Sequence, residues 1–249
     1  MEIFNKIKRN IPNGITSLNL FSGCLSVVFA FEGNLIYASY FIGLAAIFDF
    51  LDGFAARILK AYSNIGKDLD SLADVISFGL APSIILFKLL QKALNIDNLL
   101  IENIAFSSLL ILLSAFLIAI FSALRLAKFN NDARQTTGFI GLPTPANAIL
   151  IASFPLILAN NCNTTVYQII LDKYFLLFSI FFLCFLLISE IPMFSLKIKD
   201  LKFSSNKFQF ILILSSLILI IFFKFTAIPL IIFFYIILSL INGLILKNK

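Results

Sequence analysis

Eight stretches of this chain, approximately residues 14–31, 35–59, 68–90, 104–127, 144–160, 173–190, 208–223 and 226–246, are nearly unbroken apolar runs. Each is close to the roughly 20 residues that cross a hydrocarbon layer about 30 Å thick. Inside that layer no water is available to backbone N–H and C=O groups, so only helices and closed barrels can span it. Long runs without polar alternation select helices. The expected fold is therefore all-α, a polytopic transmembrane bundle of about eight helices. With 60% hydrophobic and 13% charged residues, the chain is more apolar than soluble domains, which sit near roughly 45–50%. Only Lys224 and Phe225 separate the last two runs, so a tight hairpin is expected there.

The basic residues give the bundle a polarity. Lys6, Lys8, Arg9, Lys60, Lys67, Lys128, Arg134, Lys197, Lys199, Lys202, Lys207, Lys247 and Lys249 fall in the termini and alternate loops, against Lys92, Lys173 and Lys224 on the other side. By the positive-inside rule this asymmetry puts both termini in the cytoplasm of a cell whose inner membrane holds the protein. The net charge of +6 is spread among apolar runs rather than gathered into a patch, so no nucleic-acid partner is expected. The opening MEIFNKIKRNIPNG is too polar for a cleaved signal sequence and is expected to stay attached as a basic interfacial segment. Two parts are expected: a membrane core over 1–190, then a basic cytoplasmic linker and terminal helical pair over 191–249.

Several chemistries are excluded. There is no histidine, hence no imidazole base and no imidazole metal ligand. Cys24, Cys162 and Cys184 are too dispersed for a disulfide framework or a zinc site and read as packing residues. Catalysis here must run on carboxylates.

Four carboxylates stand where apolar residues belong: Asp49 and Asp52 in AIFDFLDGFAAR, and Asp70 and Asp74 in GKDLDSLADVISFG. Ionisable residues within spans are costly and default to function. Spacings of i,i+3 and i,i+4 put each pair on one helical face. With the second helix running inward and the third outward, the pairs lie at similar depth; Asp49 is about 15 Å from the helix end near residue 59. Arg57 alone cannot balance four facing carboxylates. An all-oxygen ligand set selects a hard divalent cation, Mg²⁺ or Mn²⁺, over zinc. Gly53, Ala55, Ala56 and Gly66 remove side-chain bulk between the pairs, which serves either close helix packing or the approach of a large polar ligand.

In order, these residues read Asp49, Asp52, Gly53, Ala56, Arg57, Gly66, Asp70 and Asp74 at the spacing DxxDGxxARx8GxxxDxxxD. That pattern resembles the signature of the CDP-alcohol phosphatidyltransferases, and the resemblance covers about residues 10–190. It implies a six-helix core, a homodimer, and a polar cavity open to the cytoplasm with two divalent metals. It implies metal ligation by Asp49, Asp52, Asp70 and Asp74, with Asp74 also the general base. Gly53, Ala56, Arg57 and Gly66 would flank the CDP diphosphate of a CDP-diacylglycerol donor. The family's amino-terminal Pro-Asn-x-x-Thr pattern matches Pro12, Asn13 and Thr16 at the nucleotide end. Two metals would neutralise the diphosphate for in-line attack.

The signature fixes the donor but not the acceptor. RLAKFNNDAR at 125–134, GFIGLPTPANA at 138–148 and SEIPMFSLK at 189–197 resemble segments of the branch that phosphatidylates L-serine. Lys128 and Asn147 depart from the branch pattern, which commonly has Arg and Ala there. Arg125 suits serine's carboxylate, with Lys128 and Asn130 as further acceptor contacts; a snorkelling anchor is the plainer reading of a cation at a helix end. Pro143 and Pro145 read as the start of the fifth helix. The runner-up acceptor is glycerol 3-phosphate, whose phosphate would need Arg125, Lys128 and Arg134 together. A metal- or proton-coupled transporter is the alternative class, disfavoured because the acids cluster near one face and no inverted repeat is visible.

Overall fold

A computed structural model describes residues 2–61, 63–96, 104–132, 139–160, 164–194 and 206–247. It is an all-α bundle built as consecutive up-and-down helices. α1 (Glu2–Phe31) and α2 (Leu35–Leu59) pack along each other, and a tight turn leads into α3 (Asn64–Asp74). A π-helical turn, Val75–Leu80, joins α3 to α4 (Ala81–Ala93). α5 (Phe106–Leu113) passes through a 3₁₀ turn into α6 (Leu117–Asn131), followed by α7 (Thr144–Ala159), α8 (Thr164–Ile170) and α9 (Lys173–Ile188). α10 (Lys207–Phe223) and α11 (Ala227–Lys247) close the chain. Two residues on each side, β1 (Phe139–Ile140) and β2 (Pro192–Met193), form a short antiparallel ladder.

Among the described residues, four helical stretches are long and apolar enough to cross a membrane by length and composition, Asn10–Phe31, Asn64–Ala93, Phe106–Asn131 and Lys207–Leu244, and the bent pair α8–α9 makes a fifth if it is one span. Lys207–Leu244, at 38 residues, would be about 57 Å as one straight helix, nearly twice a hydrocarbon layer. It is not straight. Lys224 takes φ 50° and ψ −126°, and α10 folds back to pack on α11, the hairpin expected from sequence.

Differences from the expected runs have local causes. Helix extends back to Glu2, so the basic opening segment is continuous with the first span and Pro12 lies inside it. The short α8 falls between two of the expected runs and meets α9 at 58°. The third span is swollen by the π turn. There, Ser77 Oγ donates to the Asn19 carbonyl at 3.0 Å, and a Cβ on Gly23 would come within 2.8 Å of the Ser77 Cα. On the other flank a Cβ on Gly79 would lie 3.3 Å from the Ser122 Cβ. The widened turn is thus wedged between α1 and α6, at a glycine on each flank.

The Asn64–Ala93 span is the central post of the bundle, 72% buried over its apolar window, against 11% for Lys207–Leu244. Phe78, Ile85, Leu86, Leu89 and Leu90 are fully buried along it. The helix directions bring Lys60, Lys67 and Lys128 to one end of the bundle and Lys92, Lys173 and Lys224 to the other. The site described next opens at the first, basic end.

Candidate active site

The α2–α3 turn builds the site. Lys60 caps α2 in the left-handed region, φ 49°, with its N–H on the last-turn carbonyls of Ala56 and Arg57. Ser63 caps α3 by accepting from the Gly66 N–H at 3.0 Å. These two caps reverse the chain within four residues. The acid faces of the two helices therefore meet instead of diverging.

Asp49, Asp70 and Asp74 each bring one carboxylate oxygen within 4.8 Å of the others. Asp52 lies in electrostatic reach of Asp49 and Asp70 and beside the Thr16 side chain. Asp74 is the deepest trio member, 7% exposed, and one of its oxygens accepts from Asn19 Nδ2 at 3.2 Å. Asp52 Oδ2 and Asp70 Oδ1 are buried without a hydrogen-bond partner among the described residues. Unpaired carboxylate oxygens are costly to bury. All-oxygen donors at this spacing, short of cationic partners, fit a hard divalent cation. The cluster could hold such an ion.

Beside the trio, a cavity of about 200 Å³ opens between α1, α2 and α3, with Asp52 and Asp70 on its wall. Asn13, Thr16, Gly53, Ala56 and Gly66, named from the sequence as CDP contacts, all line it. Arg57 does not: it is exposed, and its Nε donates to the Gly53 carbonyl of its own helix at 2.9 Å. The two glycines differ in kind. A Cβ on Gly66 would lie 2.8 Å from Asn13 Oδ1 and 2.9 Å from Ser63 Oγ, so Gly66 admits Asn13 and the α3 cap. A Cβ on Gly53 would meet nothing within 4 Å. Gly53 leaves space rather than permitting a contact.

The acceptor candidates separate as well. Arg125 is 6% exposed, so it is not the snorkelling anchor that its position near a helix end allowed. Its guanidinium carbon sits 5.9 Å from the centre of the Phe129 ring, within electrostatic reach of Asp74 and Tyr235, and its Nε has no partner. Lys128 Nζ is 3.5 Å from Glu190 Oε1, a half-exposed pair. Asn130 ties α6 to α3: its Nδ2 donates to Ser71 Oγ at 2.8 Å and its carbonyl accepts from Lys67 Nζ at 3.2 Å. Arg134 and Cys162 lie outside the described residues. Cys24 is exposed and Cys184 buried, both as free thiols. Pro143 and Pro145 stand at the start of α7, as their fixed φ favours.

Three residues stand out beyond those that the sequence marks. Lys67, a loop cation that directly follows the signature Gly66, lines the cavity. Asn19 holds Asp74 from 55 positions away; a polar amide within an apolar run was the available signal. Asn147, noted only as a departure from the branch pattern, is fully buried with both side-chain polar atoms unpartnered.

Comparison with known proteins follows the same residues. The CDP-alcohol phosphatidyltransferase family model matches residues 9–185. This chain belongs to that family. The chain is 38% identical over 144 residues to a protein of Methanocaldococcus jannaschii named CDP-diacylglycerol–serine O-phosphatidyltransferase, covering 58% of this chain and 59% of that one. A Helicobacter pylori protein of the same name is 35% identical over 142 residues, 56% of this chain and 54% of that one. Archaetidylserine synthase of Methanothermobacter thermautotrophicus is 36% identical over 146 residues, 58% and 57% of the two chains. The matches thus span a little over half the length of these curated relatives.

Proposed function

We propose that this protein transfers the phosphatidyl group of CDP-diacylglycerol to the hydroxyl of L-serine, releasing CMP. The observation that carries the reading is the adjacency of three features. The carboxylate trio meets a cavity lined by five signature-side residues, and Arg125 is buried within electrostatic reach of Asp74.

In this reading Asp49, Asp52, Asp70 and Asp74 would hold two divalent ions, Mg²⁺ or Mn²⁺. Bound there, they would supply positive charge to the donor diphosphate and the departing CMP. The cavity beside Asp52 takes the CDP moiety. Asn13 and Thr16 of α1 would face its nucleotide end, Gly53 and Ala56 give the diphosphate room, and Lys67 adds a cation. Arg125 binds the carboxylate of serine and so directs the serine hydroxyl toward Asp74. Asp74 takes the hydroxyl proton as the new P–O bond forms and the P–O bond to CMP breaks. The Asn19 amide donates to one Asp74 oxygen and so fixes the orientation of the carboxylate. Lys128 and Asn130 are engaged with Glu190 and Ser71, so among the described residues Arg125 is the leading acceptor cation, which favours a carboxylate over a phosphate.

Because the basic end of the bundle carries the site, we infer that it opens to the cytoplasm, with both termini on that side of the inner membrane. The homodimer implied by the family is part of the same proposal. Purified protein given CDP-diacylglycerol with labelled serine, glycerol 3-phosphate or inositol in parallel tests the acceptor. We expect labelled lipid and CMP with serine. Labelled lipid from glycerol 3-phosphate alone would replace the acceptor, and no CMP release with any alcohol would return the carboxylates to a transport role.

A further inference from the structure

Lys67 and Ser71 stand one turn apart on a single face of α3, and both meet the end of α6. Lys67 Nζ donates to the Asn130 carbonyl at 3.2 Å. Asn130 Nδ2 donates to Ser71 Oγ at 2.8 Å, and Ser71 Oγ donates back to the Lys67 carbonyl at 3.2 Å. Three residues on two helices thus close a ring of hydrogen bonds.

The ring answers a need on each helix. α6 ends at Asn131, so the Asn130 carbonyl belongs to a last turn that has no intrahelical N–H to accept from. The negative end of the helix dipole also favours a cation there. On α3 the Ser71 hydroxyl has committed its one proton to the Lys67 carbonyl, so its oxygen is left as an acceptor. An amide NH₂ can serve it, as Asn130 does.

Lys67 is exposed, yet it also lines the cavity between α1, α2 and α3. A lysine loose at a cavity rim samples many rotamers, and ordering it on a ligand costs affinity. Here one of the three ammonium donors is spent on Asn130, which fixes the stem and keeps the others for oxygens of an anion in the cavity. Asp52 and Asp70 share the cavity wall, and an ammonium free to swing would be drawn toward them. Held on Asn130, it is kept for the ligand instead.

We infer that Asn130 serves the donor and not the acceptor: with Ser71 it is a positioning residue that holds Lys67 at the cavity rim for the donor's diphosphate. This rests on the donor cavity proposed above. It takes Asn130 out of the acceptor contacts expected from sequence and gives the far end of the helix that carries Arg125 a role in donor binding.

The test is calorimetric titration of a short-chain CDP-diacylglycerol into the full-length protein with Mg²⁺ present, set beside the acceptor KM from CMP release. Asn130→Ala should raise the donor Kd roughly two- to tenfold, the cost of ordering a freed lysine, while the acceptor KM moves less than about twofold. Ser71→Ala, which leaves α6 intact, should give the same split. The two together should do no more than either alone, because both open the same ring. In a Lys67→Met background, Asn130→Ala should add nothing to the donor Kd. Thermal midpoints of all variants separate this pattern from loosened folding, which would weaken donor and acceptor together. A rise in acceptor KM with the donor Kd unchanged would return Asn130 to the acceptor, and an Asn130→Ala effect that persists without Lys67 would overturn the positioning role; in both cases the donor cavity stands. If Lys67→Met leaves the donor Kd unchanged, Lys67 is not the donor's cation and the inference falls. If wild type binds no donor, the cavity reading itself falls and this inference with it.

Discussion

Replacing Gly53 by alanine separates stability from binding, with opposite signs. Gly53 lies inside α2, where glycine costs about 0.5–1 kcal/mol relative to alanine. A Cβ there meets nothing within 4 Å, so no steric penalty offsets that gain. Gly53→Ala should therefore raise the thermal midpoint by about 1–3 °C. The new methyl projects into a cavity of about 200 Å³, in the space proposed for the diphosphate. Overfilling a fitted site by one carbon typically costs about 1–3 kcal/mol, which is roughly a five- to hundredfold rise in the CDP-diacylglycerol KM. Detergent-solubilised protein, followed by thermal unfolding and by CMP release across donor concentrations, gives both quantities. Gly66→Ala is the internal control: its Cβ would collide with Asn13 Oδ1 and Ser63 Oγ, so stability and donor binding should fall together. A Gly53→Ala protein that is more stable but has an unchanged donor KM would refute the cavity as the donor site. A less stable one would refute the open space at Gly53.

Asp74→Asn keeps the volume and the Asn19 contact but removes the proton acceptor, so kcat should fall by about 10² to 10⁴ while donor binding holds; an equal loss of donor binding would make Asp74 chiefly a metal ligand. Activity should vanish in EDTA and return with Mg²⁺ or Mn²⁺, and Asp49→Asn or Asp70→Asn should raise the metal concentration needed; full turnover in EDTA would sink the metal reading. A reporter joined after Lys249 should be active only in the cytoplasm, and activity outside would invert the orientation.

Much of this protein is determined locally. Length and apolarity of the runs are enough for a helical membrane bundle, because a lipid interior leaves the backbone few alternatives. The acid pairs are legible for the same local reason: i,i+3 and i,i+4 spacing fixes which side chains share a face. The hairpin at Lys224 also follows, since two spans with two residues between them must reverse.

What spacing within one helix does not carry is how neighbouring helices are rotated and how deeply they pack. Only the tertiary structure brings Asp74 together with Asp49 and Asp70 as the trio and turns Asp52 to the cavity beside Thr16. The Asn19–Asp74 hydrogen bond forms beside the π turn, whose Ser77 also bonds Asn19, and apolar periodicity does not signal that turn. Arg125 looks like a boundary cation in sequence because it stands near the end of α6. It is buried in a fold where α6 packs against the π turn of the third span and against α9, and packing between helices distant in sequence depends on shapes that no local window contains.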